Sequence, residues 1–490
     1  MISIVEQIFL NGVKNPYKVA LQNEKQSLTY AQLLHAVLIA KKTLQSNGVG
    51  QGDRVVIFAE KKFDFIAIYF ACHMLEAVTC PLATDTNAAR FEFIESIVRP
   101  KLIVASRSQV THTLSKTLYF DDFNLQSDLL FDEVNDLSID RICFPNAERT
   151  ADIVFTTGTT GTPKGVQLSH KNLTAAASNI NTFIKNKSTD VEMVVLPLSH
   201  SFGLGRLRCA LSNGQCVVLL NNFVNIKKFY RFLEEFKVNG FGMVAANFEM
   251  LKKFSGYKLR EYGTQLHYIE IGSAPMPLED KKLLVSLLPQ TRICMHYGLT
   301  EASRSSFMEF HDDFSRLNTI GKASPNVLIR ICNEAGDEVG DGEDGEICVS
   351  GDCVTKGYLN HPSSDSFFKD FFRTGDLGVK LDNGYIVLKG RKKELINVGG
   401  KKVSPLEVEE CLKKLAFVDD CVCTAIPDPE GILGEVVKAY IVTTEPDKIS
   451  FRYIDPLIGK ELESYKHPVV YEIIREVPKS SSGKVLRLSL

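Results

Sequence analysis

The chain has 490 residues, 44% of them hydrophobic and 24% charged, with a formal net charge of -2 at pH 7. Such a length exceeds one ordinary core and the composition excludes extended disorder, so two or more packed units are expected. The balanced charge provides no whole-protein field to hold nucleic acid or an anionic membrane, so an anionic ligand has to be held by a local site.

In chain order, residues 1–7 lack a basic leader and read as an amphipathic helix, and no targeting segment is expected. The longest apolar run, 65–75, is bracketed by Asp64 and Glu76 and contains His73, which suits a core helix and not a membrane span. Strand-like runs at 54–59, 101–105, 152–156 and 191–196 alternate with amphipathic stretches, the pattern of α/β units with largely parallel sheets. From 326 to 351, short strands punctuated by Gly and Asp predict a small β subdomain within about 320–389. A boundary is expected where Lys389-Gly390-Arg391-Lys392-Lys393 follows the strand-like 385–388, although that basic run alone is equally a solvated linker. A helix at 405–415 and strands at 418–426 and 435–443 would then build a small α+β domain over 390–490, after a large domain over 1–389. The final Leu488-Ser489-Leu490 lacks the lysine of a peroxisomal signal. The 12 cysteines include a CxC at Cys421 and Cys423 but no CxxC, so free thiols in a reducing, cytoplasmic compartment are expected, without structural zinc.

The most informative stretch is Phe155-Thr156-Thr157-Gly158-Thr159-Thr160-Gly161-Thr162-Pro163-Lys164-Gly165-Val166, directly after a strand. Glycines let a backbone fold its amides around an anion, threonine hydroxyls add donors, and a lysine supplies charge. The P-loop of kinases and NTPases is excluded, because Pro163 precedes Lys164 and Gly165 follows it. On composition alone, a phosphate cradle and a Gly/Thr-rich surface loop remain equal readings.

The string closely resembles the signature loop of the adenylate-forming superfamily: acyl-CoA synthetases, peptide-synthetase adenylation domains and firefly luciferase. Pro197-Leu198-Ser199-His200, Gly272-Ser273-Ala274-Pro275, Tyr297-Gly298-Leu299-Thr300-Glu301, Arg373-Thr374-Gly375-Asp376, Gly390-Arg391-Lys392-Lys393-Glu394 and Ser481-Ser482-Gly483-Lys484 follow in that superfamily's order. The resemblance implies an α/β protein with a large N-terminal domain of two sheet subdomains and a small β subdomain, followed by a small mobile α+β domain.

It also implies roles. Thr156, Thr157, Gly158, Thr159, Thr160 and Lys164 would hold the β and γ phosphates of ATP, Thr300 the α-phosphate, and Glu301 Mg2+. Tyr297 would stack on adenine against the backbone of Gly272, Ser273 and Ala274, while Asp376 and Arg391 would take the ribose. Read alone, Tyr297 is a core residue and Asp376 a turn residue. Lys484 is the expected catalytic cation, a flexible point charge for the carboxylate and α-phosphate, though without the family it is an ordinary surface lysine. Lys393 occupies the hinge position of the rotating domain, and Gly399, Gly400 and Lys401 would line a thiol tunnel.

The acid is constrained by what is absent. Relatives that activate amino acids carry an aspartate near Ser201, and no carboxylate lies between Ser199 and Ala210, so a free α-amine is disfavoured. His200 matches a gating residue, Ser201, Phe202 and Leu204 would form one pocket wall, and Ala274 and Ser303 the other. Arg206 and Arg208 suit a second carboxylate or, more simply, water or acidic neighbours; Val244-Ala245-Ala246-Asn247 departs from the family's usual segment. The thiol is that of coenzyme A or the phosphopantetheine of an acyl or peptidyl carrier protein, with Lys401, Lys402 and Lys466 as candidate phosphate partners. A stand-alone adenylation enzyme and a non-enzymatic nucleotide-binding descendant are the other readings; neither nucleic acid nor an integral membrane position is expected.

Overall fold

The structure, a computed structural model, describes residues 2–109, 113–125, 142–156, 163–221, 223–362, 364–479, 485–487 and 490. The chain divides into two compact units, Met1–Leu317 with Ala323–Leu328 and Ser350–Phe372, and Asn318–Lys322 with Ile329–Val349 and Arg373–Leu490.

The larger unit is built on two sheets. In the six-stranded one, Thr117–Tyr119, Leu102–Ala105, Arg54–Phe58, Val78–Leu82 and Thr150–Thr156 run parallel and Lys164–Ser169 is antiparallel at the edge. Within a nine-stranded sheet, Arg292–Tyr297, Tyr268–Gly272, Gly240–Val244, Val191–Val194, Cys216–Leu219 and Val19–Gln22 form a parallel core. Strands buried on both faces read as continuous apolar runs, as Leu102–Ala105 and Gly240–Val244 do. The apolar run at 65–75 is the helix Phe63–Met74, buried on every side, so its lack of amphipathic pattern is that of a core element. Thr29 and Gln32 form a capping box that starts the helix Tyr30–Ser46. Among the described residues, no helix is long and apolar enough to cross a membrane.

In the smaller unit, the part of the strand Phe371–Lys380 from Arg373 onward forms an antiparallel hairpin with Ile386–Arg391. A second hairpin pairs Ile396–Val398 with Lys401–Val403 through Gly399 and Gly400, whose φ values of 57° and 86° are those glycine adopts without strain. Beyond it, Asp420–Pro427, Glu435–Val442 and Val470–Ile473 make a three-stranded sheet. The helix Pro405–Leu412, started by Ser404 and ended before the expected 415, covers a core that includes Val408, Leu412, Cys421 and Val437. All twelve cysteines are free, Cys421 and Cys423 among the buried ones.

Candidate active site

The strand Thr150–Thr156 and its partner Lys164–Ser169 put Thr156 opposite Lys164, so the two ends of the phosphate loop are neighbours. Thr157, Gly158, Thr159 and Thr160 lie outside the described residues. The Lys164 ammonium stands 5.1 Å from the centre of the Tyr358 ring. Two residues into the strand, buried Asp152 accepts from Tyr69 Oη at 2.9 Å, Thr79 Oγ1 at 2.6 Å and Arg208 Nη1 at 2.7 Å, with His73 Nε2 at 2.9 Å. Burial pushes its carboxyl up, but His73, Arg208 and the Thr79 hydroxyl outweigh that and bring it down to about 2. The strand that leads into the loop is thus pinned by an ionised carboxylate.

The segment Pro197–His200 ends in the helix Ser201–Ser212, with His200 as its N-cap and no side-chain cap bond. Ser201 Oγ lies 3.4 Å from Thr300 Oγ1, which makes neighbours of an expected acid-wall residue and the expected α-phosphate donor. Phe202 meets His296 edge to face at 4.7 Å, whereas Leu204 is fully buried in the large core. Tyr297 ends the strand Arg292–Tyr297, and Gly272 ends the adjacent parallel strand Tyr268–Gly272. A Cβ on Gly272 would stand 2.1 Å from the His296 ring, so only glycine fits there. Ser273 follows with a left-handed φ of 73° and leads to half-buried Ala274.

Glu301 is 8% exposed and accepts from Tyr358 Oη at 2.8 Å. Among the described residues, no group of three or more His, Cys, Asp or Glu side chains could hold a metal on its own. A single carboxylate fits Mg2+, which is bound through one or two carboxylates with the rest of its shell from phosphates and water. Ser303 accepts from Arg304 Nη1 at 3.2 Å.

Arg206 and Arg208 face acidic neighbours. Arg206 donates to Glu192 at 2.6 Å and to Glu270 at 3.1 Å, and Arg208 is held by Asp152. Neither is a ready clamp for a ligand carboxylate. Glu270 also meets His296 Nδ1 at 2.7 Å and Arg304 Nε at 3.1 Å. Burial raises the Glu270 carboxyl, and Arg304, His296 and Arg206 together reverse this and hold it well below the usual carboxylate range. Sequence reading missed Glu270, His296, Arg304 and Tyr358; the one signal was a glutamate inside the otherwise apolar 268–272.

In the smaller unit, Asp376 pairs across the hairpin with Arg391, Nε to Oδ1 at 2.9 Å, and is 4% exposed. Lys393 is exposed within the turn Lys392–Glu394. Lys401 lies 4.4 Å from the Tyr465 ring, and Lys466 bonds Glu407 and Glu463, each at 2.8 Å. Lys484 lies outside the described residues.

Comparison with known proteins gives this geometry its context. A profile of the AMP-binding enzyme family matches residues 9–359, and one of the AMP-binding enzyme C-terminal domain matches 407–484. Oxalate–CoA ligase of Arabidopsis thaliana is 28% identical over 94% of this chain and 93% of its own. ATP-bound MatB of Rhodopseudomonas palustris superposes with a TM-score of 0.89 at 23% identity, covering 99% of this chain and 97% of that one. The o-succinylbenzoate CoA synthetase of Bacillus subtilis, in complex with the acyl-adenylate OSB-AMP, gives 0.85 at 24% identity over 99% and 97%. At these identities the two solved structures establish a shared fold.

Proposed function

The chain belongs to the AMP-binding enzyme family, and from that premise we propose that it activates a carboxylic acid with ATP as an acyl-adenylate, releases pyrophosphate, and passes the acyl group to coenzyme A. In the first step a carboxylate oxygen attacks the α-phosphorus and the bond to the β-phosphate oxygen breaks. Two anions meet, so the work is charge neutralisation and alignment. Thr156, Thr157, Gly158, Thr159, Thr160 and Lys164 hold the β and γ phosphates, and Thr300 bonds the α-phosphate. Glu301, oriented by Tyr358, holds Mg2+, whose charge offsets that of the phosphates. Tyr297 stacks on adenine against Gly272–Ala274, Asp376 and Arg391 take the ribose, and Lys484 joins the carboxylate to the α-phosphate. The observation that carries this reading is the 3.4 Å contact of Ser201 with Thr300, at the meeting of acid and nucleotide residues.

Turning about Lys393 presents the Gly399–Lys401 hairpin for thiolation. The acid lacks a free α-amine, because the wall position holds Ser201 and not a carboxylate. A second acid group finds no help from Arg206 or Arg208, which are held by Glu192, Glu270 and Asp152. The test is pyrophosphate release over fatty, aryl, dicarboxylic and amino acids, with and without coenzyme A. Turnover with a monocarboxylic acid, converted to a thioester only when coenzyme A is added, is expected. Release that ignores coenzyme A would move the acceptor to a carrier protein, and no acid-dependent release from any acid would overturn the reading.

A further inference from the structure

Arg304 is 3% exposed, and its backbone adopts a left-handed φ of 50° that a large side chain takes only when its surroundings demand it. Its guanidinium joins three segments. Nε donates to Glu270 Oε1 at 3.1 Å, on the strand that ends at Gly272. Nη1 donates to the Ser201 carbonyl at 3.3 Å and Ser303 Oγ at 3.2 Å, and Nη2 to the Phe202 carbonyl at 3.2 Å. The group also lies 4.9 Å from the centre of the Phe202 ring. A Cβ on Gly205 would stand 2.7 Å from Nη1, so the helix carrying Ser201 is glycine where the arginine passes. Several donors in a rigid fork suit such a junction, whereas the point donor of a lysine does not span it. The charge is also accounted for: Arg206 and Arg304 stand against Glu192 and Glu270, leaving no surplus for a substrate.

We propose that Arg304 is a positioning residue that sets the width of the acid pocket, fixing the Ser201–Phe202 wall relative to the Thr300–Ser303 segment and so deciding which acids fit. The inference rests on the assignment of those residues to the acid site. Its test uses the full chain and measures kcat/KM for a graded series of straight-chain and aryl acids, with ATP KM and melting temperature beside it. Three variants are compared: Arg304→Lys, the charge-balanced Arg304→Met with Glu270→Gln, which leaves Arg206 matched by Glu192, and Phe202→Ala as a wall control. Both Arg304 variants are expected to change the ratio of large-acid to small-acid kcat/KM at least tenfold, while ATP KM stays within about twofold. A residue that only stabilised the fold would lower the melting temperature and reduce all acids by one factor. The proposal is overturned if Phe202→Ala changes the ranking of acids and the Arg304 variants do not. If Phe202→Ala also leaves the ranking intact, the acid-wall assignment itself fails. Should the double variant not fold, the ranking with Arg304→Lys decides.

Discussion

Asp152→Asn removes the charge that His73 and Arg208 share on the strand Thr150–Thr156 while keeping the side chain's shape. In the wild type the carboxyl falls from an ordinary 3.8 to about 2 despite full burial, which corresponds to about 2 kcal/mol of stability from its ionised form. The variant loses this and also leaves the Arg208 guanidinium buried beside a neutral amide, so the expected loss is about 3–5 kcal/mol. Urea unfolding at pH 7, followed by a signal from the larger unit, measures it. Arg208→Met added to Asp152→Asn removes the stranded cation and is expected to recover most of the loss. The sign with pH follows from the lowered value: the stabilisation is complete above about pH 4 and disappears as pH falls through about 2, so wild type and variant converge in acid. A loss below about 1 kcal/mol at pH 7, or a gap that widens in acid, would show that the ionised Asp152 does not stabilise the strand.

Glu301→Gln should lower adenylation about 100-fold and raise the Mg2+ concentration needed for half-maximal rate, both read from pyrophosphate release against Mg2+. Tyr358→Phe removes one hydrogen bond to that carboxylate and should cost about tenfold in the same assay, with the melting temperature nearly unchanged. Gly272→Ala forces a methyl into the His296 ring and is expected to destabilise by about 1–3 kcal/mol, seen in thermal unfolding. Lys393→Pro restricts the proposed hinge and should slow thiolation of a supplied acyl-adenylate far more than its formation, measured as separate half-reactions.

Much of the fold was legible because it is written in short-range pattern. The core helix at the apolar run 65–75 and the strand that leads into the phosphate loop each follow from a handful of adjacent residues. Element ends were less so: the strand expected over 191–196 stops at Val194, before the turn that Pro197 enters, and the helix after Pro405 stops at Leu412. The charge cluster was hidden because its members come from four separated segments. Glu192, Arg206, Glu270 and Arg304 meet only when parallel strands and the Ser201–Ser212 helix are packed together, and a glutamate inside an apolar strand does not announce its partner. The same distance in sequence concealed Tyr358, 57 residues from Glu301. Arg206 and Arg208 were readable as facing water or acidic neighbours in preference to a ligand carboxylate, and tertiary packing supplied the acidic neighbours, although which carboxylates they are was not legible.

Formation of an acyl-adenylate is read by quenching the enzyme with ATP, Mg2+ and an accepted acid in the absence of any thiol, then measuring the bound product by mass spectrometry. An acyl-AMP at roughly one per enzyme is expected, converted to acyl-CoA on a chase with coenzyme A and missing in Lys484→Ala, which should still convert acyl-AMP supplied to it. Release of ADP and an acyl phosphate in place of AMP would rule out an acyl-adenylate, and acyl-AMP formation unaffected by Lys484→Ala would rule out Lys484 as the catalytic cation.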